Sequence, residues 1–394
     1  MDPIRNPYAP GAGTRPPEMV GRDRLRETAR VALERIRLGR PSKSIVLVGL
    51  RGVGKTVLLD RISEDAEANG IIPLRIEAPE QRSLPSMIAP QLRFALIRLS
   101  NREAVKAQAQ RGLRALAGFA SALKVKYQDI EVGLDFDPEP GLADNGELET
   151  DLQDLFEVVG TAAEAADSCV ALFIDELQYV AEDQLAALIT ALHRVAQRRL
   201  PVTLVGAGLP QLRGAMGNAK SYAERLFDFP EIGPLSREDA KAAIYRPALC
   251  EGVEIEPDVL DAIVDRTEGY PYFLQIWGKH LWDVAESSPI TSESFPAASA
   301  QAIADLDQSF FLVRFDRLTP SERRYLNAMA TLGAGPHRSG DIAQVMSREV
   351  SSLAPTRSHL IRKGMVWSPS HGDTAFTVPM FDEFMLRITS AAEY

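Results

Sequence analysis

The sequence predicts an α/β protein built on a buried parallel sheet, and three observations predict it. The apolar, β-branched run Ile45–Val48 stops at a glycine-rich turn, after which an apolar-periodic helix begins at Lys55. A second unbroken apolar run, Cys169–Ile174, closes on two carboxylates, Asp175 and Glu176. Another strand-like run, Val202–Pro210, follows a helical stretch over 181–198. Strands buried on both faces read as continuous apolar runs. Their alternation with helical patterns is the signature of parallel βαβ units.

The turn after the first strand reads Gly49-Leu50-Arg51-Gly52-Val53-Gly54-Lys55-Thr56, which fits the pattern G-x-x-x-x-G-K-[ST] in its required strand–turn–helix setting. Gly49, Gly52 and Gly54 let the backbone fold around a phosphate as an anion-binding nest. The helix N-terminus adds its partial positive charge. Lys55 brings a point charge to the β- and γ-phosphates, and the Thr56 hydroxyl suits Mg²⁺. The chemistry is that of a P-loop NTPase binding ATP with Mg²⁺. The acidic pair is the expected other half of such a site, since ligands of open α/β sheets sit at the carboxyl ends of the strands. Asp175 is expected to hold the metal, directly or through water, and Glu176 to polarise the water attacking the γ-phosphate.

With 394 residues the chain has room for two or three domains, and 45% hydrophobic with 25% charged residues is ordinary globular composition. No apolar run approaches the length of a membrane span. Residues 1–10 hold no apolar signal region. Cys169 and Cys250 are far apart in apolar surroundings, so free thiols in a reducing cytoplasm are expected. The net charge of −10 excludes a surface that coats nucleic acid throughout, and leaves room for a local basic face. Residues 318–394, with eight basic against seven acidic side chains, are the least acidic part.

Taken in order, residues 1–17 are Pro/Gly-rich and expected to be extended or disordered. Helix 23–38 closes at Pro41, helix 55–68 ends at the C-cap signal Asn69-Gly70, and a strand follows at Ile72–Glu77. Residues 84–123 read as helical. In 124–147, Val125, Tyr127, Ile130, Val132 and Leu134 suggest a short β-excursion, followed by an acidic loop. The stretch of about 100–147 reads as an insertion outside the sheet, either a partner surface or a silent solvated loop. Helix 148–166 leads to the acidic strand. A fifth strand is expected at Phe227–Ile232, a helical lid over 236–287 and a linker over 288–300. The expected domains are a core at 18–235, a lid at 236–300, and a linker helix with a terminal module at 301–394.

With these parts in one order the chain resembles the AAA+ superfamily, nearest to the origin-recognition-type ATPases and the related STAND signalling NTPases, over roughly residues 18–390. In that resemblance Gly49–Thr56 is Walker A and Ile174-Asp175-Glu176 is Walker B. Val20-Gly21-Arg22 matches the box beside the adenine. The resemblance implies nucleotide contacts at Val20, Gly21, Arg22, Gly49, Arg51, Gly52, Val53, Gly54, Lys55, Thr56, Val57 and Pro271. Arg225, just before the fifth strand, matches the neighbourhood of the arginine finger, which acts on a neighbouring subunit in an ATP-dependent homo-oligomer; otherwise it is a surface arginine beside Glu224. Two departures stand out. The fourth strand ends in Gly206-Ala207-Gly208 where a polar sensor side chain is usual, and only Thr203 inside it is polar. Tyr272, in Gly269-Tyr270-Pro271-Tyr272, stands where many relatives carry a sensor arginine. Both losses imply slow or partner-dependent hydrolysis.

At the C-terminus, Thr319-Pro320-Ser321-Glu322 is a capping box with Pro at the first helical position. Ser339 is expected to cap a second helix over Gly340–Met346. A third runs from near Pro355 to Lys363 and stops at Gly364. Met365–Trp367 and Phe376–Val378 then flank an exposed turn. Three helices and a hairpin make a winged helix-turn-helix, which resembles the domain following the ATPase in origin-recognition-type proteins. Thr356, Arg357, Arg362 and Lys363, with His371 on the wing, would face double-stranded DNA. The alternative is a protein-docking or autoinhibitory module, its partner lying in another chain. The scattered histidines His337, His359 and His371 suggest no metal site.

Overall fold

The computed structural model describes residues 1–11, 13–79, 82–101, 103–124, 126–130 and 136–392. The chain resolves into two compact units: one of residues 22–49 and 55–232, the other of 1–21, 50–54 and 233–394.

The first unit is a five-stranded sheet in the order β2-β3-β4-β1-β5, with every paired strand parallel. Its strands are β1 (Ser44–Val48), β2 (Ile72–Glu77), β3 (Val170–Asp175), β4 (Val202–Gly208) and β5 (Phe227–Asp228). Every residue of β1, β3 and β4 is buried, as their apolar runs require. The helices of this unit are α1 (Asp23–Arg37), α2 (Lys55–Ala68), α3 (Leu84–Ser100), α4 (Lys106–Leu123), α5 (Leu148–Ala165), α6 (Glu182–Gln197), α7 (Leu212–Ala219) and the one-turn α8 (Ala223–Leu226). β5 is shorter than expected: Phe229-Pro230 interrupts the pairing, because proline has no N–H to give, and only a bridge from Val48 to Glu231 resumes it.

The stretch expected to lie outside the sheet is part of the core. Leu113, Leu116, Phe119 and Leu123 of α4 are buried in one cluster with α3, α5 and the sheet. Among the described residues of 124–147 there is no strand; Lys126 and Tyr127 donate backbone N–H groups to Leu123 in turns, and Ile130 is buried. Val125, Val132 and Leu134 of the expected excursion lie outside the described residues.

The second unit contains α9 (Arg237–Cys250), α10 (Pro257–Thr267) and α11 (Pro271–Val284), the three helices expected in the lid. The stretch expected as a linker turns helical at α12 (Phe295–Asp305), with Pro296 in its first turn and an alanine-rich body. A π-helical segment, Leu306–Phe311, and the short α13 (Leu312–Phe315) continue it. The N-terminal arm, expected to be extended or disordered, is bound to this unit. Pro3–Arg5 form a 3₁₀ turn, Asn6 donates to the Lys279 carbonyl at 3.1 Å and to Asp283 at 2.9 Å, and Trp282 donates to the Asp2 carbonyl at 2.9 Å. Tyr8 is buried against Gly278 and its hydroxyl donates to the Ile244 carbonyl. One buried tyrosine outweighs the proline-rich composition around it.

The C-terminal part of this unit comprises α14 (Pro320–Thr331), β6 (His337–Arg338), α15 (Ser339–Val345), α16 (Val350–Arg362), β7 (Val366–Trp367), β8 (Asp373–Phe376) and α17 (Phe381–Ala392). The three strands form an antiparallel sheet in the order β6-β8-β7. The Thr319–Glu322 capping box is present. Ser339 is the first residue of α15 and not its cap, since its hydroxyl donates to the Gly372 carbonyl at 2.9 Å. α16 begins at Val350, five residues before Pro355, which lies inside the helix and has no N–H to give to the Ser351 carbonyl.

A chain of rings runs through this unit. Tyr272 stacks on Phe310 at 4.9 Å, Phe310 meets Phe311 edge-on at 5.4 Å, and Phe311 packs on Phe381 at 5.5 Å and Phe384 at 5.4 Å of α17. Arg266 of α10 joins Glu383 of α17 through two hydrogen bonds of 2.8 and 2.7 Å.

Candidate functional site: the glycine loop and the acidic strand end

The loop Gly49–Gly54 leaves β1 where Gly49 donates its N–H to the Gly208 carbonyl at 3.2 Å, both in the sheet-bearing unit. Gly52 and Gly54 sit at φ 82° and 87°, the left-handed region that glycine enters without strain. A side chain at Gly54 would find open space, so it is the backbone conformation that demands glycine there. Close-set turns of this kind build an anion-binding nest. Val53 is fully buried and anchors the loop, and Lys55, the first residue of α2, is only 7% exposed. Arg51 and Val57 are half-buried.

Thr56 and Asp175 meet: the Thr56 hydroxyl donates to the carboxylate at 2.6 Å. They meet across a strand, since β4 lies between β1 and β3 in the sheet. The register aligns Ile174 with Gly206 and Val48 with Gly208, so small residues at the end of β4 lie between them. Burial raises the Asp175 pKa, against the opposing effects of the Thr56 hydrogen bond, the Glu176 backbone N–H and the Lys55 charge. A desolvated carboxylate beside a hydroxyl is a hard-oxygen donor pair, which suits Mg²⁺ held partly through its own water. Within the sheet-bearing unit the residues present therefore fit a magnesium ion beside a phosphate: a lysine, a hydroxyl and a buried acid.

Glu176 follows in the left-handed conformation, φ 51° and ψ 37°, sparsely populated for a residue with a side chain and common at functional sites. Its carboxylate accepts from the side-chain amide of Gln178, whose carbonyl oxygen in turn accepts the Leu209 N–H at 3.1 Å. Sequence reasoning missed Gln178; the available signal was an amide two residues beyond the acidic pair, facing a strand that ends without a polar side chain.

In the other unit, the Tyr272 N–H donates to the Gly52 carbonyl at 3.2 Å, with Pro271 as the first residue of α11. Val20 is buried there, and Gly21, at φ 72°, leaves no room for a side chain beside Asp239. Arg22 is the residue preceding α1. Arg225 is exposed on α8. Two residues expected to face DNA are engaged by partners within the module. Arg357 donates to Thr374 at 2.7 Å, to Ser368 at 2.9 Å and to the Asp373 carbonyl at 2.7 Å, bracing α16 against the hairpin. Lys363 binds Glu322 at 2.7 Å and the Arg317 carbonyl at 2.8 Å. Thr356 is half-buried, whereas Arg362 and His371 are exposed. Among the described residues no cluster of three or more metal-ligating side chains exists, and no helix is long and apolar enough to cross a membrane.

Residues 18–205 match the family described as "AAA ATPase domain", and residues 308–385 match a domain of unknown function, DUF8462. No curated protein matches the chain. Among solved structures it is similar to the Walker-type ATPase PABY2304 of Pyrococcus abyssi, with 15% identity, 95% of this chain and 97% of that one covered, and a TM-score of 0.57. It is also similar to the Orc1 protein of Aeropyrum pernix in complex with DNA (16% identity, 96% and 95% covered, TM-score 0.45). A third is the RuvB Holliday junction branch migration motor of Thermotoga maritima (16%, 95% and 95%, TM-score 0.44). At these identities a likeness of structure speaks for the fold alone. Residues 18–205 are an AAA ATPase domain, and nucleoside triphosphatase activity is that family's activity.

Proposed function

We propose that the protein is an ATP-dependent switch that hydrolyses ATP slowly and couples its nucleotide state to the C-terminal module. The observation that carries this reading is continuity within one compact unit. Gly52 of the phosphate loop bonds Tyr272, Tyr272 stacks on Phe310, and Phe310 and Phe311 pack on toward α17. A change in the loop on nucleotide binding thus has packed rings through which to reach the module.

At the site, the Gly49–Gly54 amides and Lys55 bind the phosphates, with Thr56 and Asp175 holding magnesium. Magnesium bound there neutralises charge on the β- and γ-phosphate oxygens. Glu176 orients and deprotonates the attacking water. Val20, Gly21 and Arg22 border the base, and Pro271 sets the start of the lid helix. No side chain on Gly206-Ala207-Gly208 contacts the γ-phosphate and Tyr272 offers it no positive charge, hence slow turnover. Arg225, exposed on α8, is the candidate finger for a second copy in an ATP-dependent homo-oligomer.

The C-terminal helices and hairpin act as a winged helix that binds double-stranded DNA, with Arg362 and the His371 turn as its contacts. A second reading, a protein-docking or autoinhibitory module, is favoured by Arg357 and Lys363 being spent within the module. A gel shift with duplex DNA near 50 mM salt, with and without ATP, separates them. ATP-dependent retardation, weakened by Arg362→Ala and steeply by added salt, supports DNA. No retardation assigns the module to a protein partner in a cytoplasmic complex.

A further inference from the structure

Gln178 lies in the 3₁₀ turn Leu177–Tyr179 that follows the acidic pair, and both ends of its amide are engaged. The nitrogen donates to the Glu176 carboxylate, and the oxygen accepts the Leu209 N–H at 3.1 Å. Leu209 is the first residue beyond β4. Room for the amide exists because Gly208 has no side chain: a Cβ there would come within 2.6 Å of the Gln178 oxygen and 2.7 Å of Leu212. The missing polar group at the end of β4 is therefore answered from the other side of the strand gap. A backbone N–H of the β4 end, relayed by one amide, fixes the carboxylate that the strand would otherwise contact directly.

We propose that Gln178 is the positioning residue for Glu176, tying the carboxylate to the end of β4. This rests on the reading of Glu176 as the group that activates water. The backbone of Glu176 is left-handed, and the Gln178 amide ties its side chain to the end of β4. The amide can do this because its nitrogen donates and its oxygen accepts, so one side chain serves both the carboxylate and the backbone N–H.

Gln178→Glu tests this with little change of shape. It keeps an acceptor for the Leu209 N–H but removes the donor to Glu176 and sets a second carboxylate against it. With the full chain and Mg-ATP, kcat is expected to fall about tenfold or more, with KM for ATP within about twofold. A glutamine that merely packs would not lower kcat while leaving KM for ATP unchanged. Glu176→Gln is measured alongside. If it abolishes turnover while Gln178→Glu leaves kcat unchanged, the positioning role is overturned and the reading of Glu176 stands. If Glu176→Gln turns over like the wild type, that reading fails and takes this inference with it. Amide exchange gives a test without turnover: in Gln178→Leu, which has no acceptor, the Leu209 N–H should exchange about tenfold faster or more than in the wild type. Equal exchange at Leu209 would overturn the relay.

Discussion

Truncating Phe310 to alanine removes the middle of the ring chain and nothing from the phosphate loop. Phe310 is half-buried, 4.9 Å from the Tyr272 ring on one side and with the Arg314 guanidinium 3.7 Å over it on the other. The aromatic stack is worth about 0.5–1.5 kcal/mol. The Arg314 contact is worth about 0.5–1 kcal/mol. As the direct route from Tyr272 into Phe310, the stack bounds the loss of coupling at about 2- to 12-fold. The hydrogen bond from Tyr272 to Gly52 is between backbone groups and survives the truncation. Linkage is reciprocal, so ATP affinity should shift by no more than the same factor. Amide exchange over Tyr325–Met329 and Phe384–Met385, with and without ATP, reads the effect. The wild type should show ATP-dependent protection there, and Phe310→Ala should lose most of it while still binding ATP. An undiminished ATP response in the variant would refute transmission through Phe310.

Three further outcomes follow from the geometry. Gly278→Ala places a Cβ within 2.6 Å of the Tyr8 ring, so the N-terminal arm should detach and trypsin should cleave after Arg5 about tenfold faster; unchanged cleavage would contradict the docked arm. Hydrogen bonds from Arg266 hold the Glu383 carboxyl below the usual range, aided by the charges of Arg266 and Arg387. A depressed carboxylate contributes stability that is full above its unfolded value, about 4.3, and lost as pH falls through the lower folded value. The stability difference between wild type and Arg266→Ala, about 1 kcal/mol or less for so exposed a pair, should therefore be present at pH 7 and shrink as pH falls below the unfolded value; a pH-independent difference would contradict it. Burial raises the Asp175 pKa, so Mg²⁺-dependent gain in ATP affinity should fade on acidification before ordinary carboxylates titrate, and Asp175→Asn should abolish that gain.

What could be read from the sequence was what local pattern decides. The strand, glycine turn and helix at 44–68 are specified within twenty-five residues, and the apolar run before Asp175 needs no distant information. The capping box at Thr319 is likewise local. The misses share a different cause. Tyr8 orders its arm only because Gly278, some 270 residues away, leaves space for a ring. The helices at 84–123 are legible in the sequence, but the stretch of about 100–147 reads as an insertion, since nothing local says that α4 is buried with α3 and α5. Arg357 and Lys363 look like free cations on a helix until their acceptors at 322 and 368–374 are known. The strand order was equally nonlocal: β4 inserts between the two halves of the site, and the glycines there, read first as a loss of sensing, are what let Gln178 approach.

The most direct test is calorimetric titration of the full chain with ATP in the presence of Mg²⁺, repeated on Lys55→Ala. The wild type should bind about one ATP per chain, and Lys55→Ala should give no measurable heat. Absence of heat with the wild type, or equal binding by both proteins, would contradict a triphosphate held by the glycine loop.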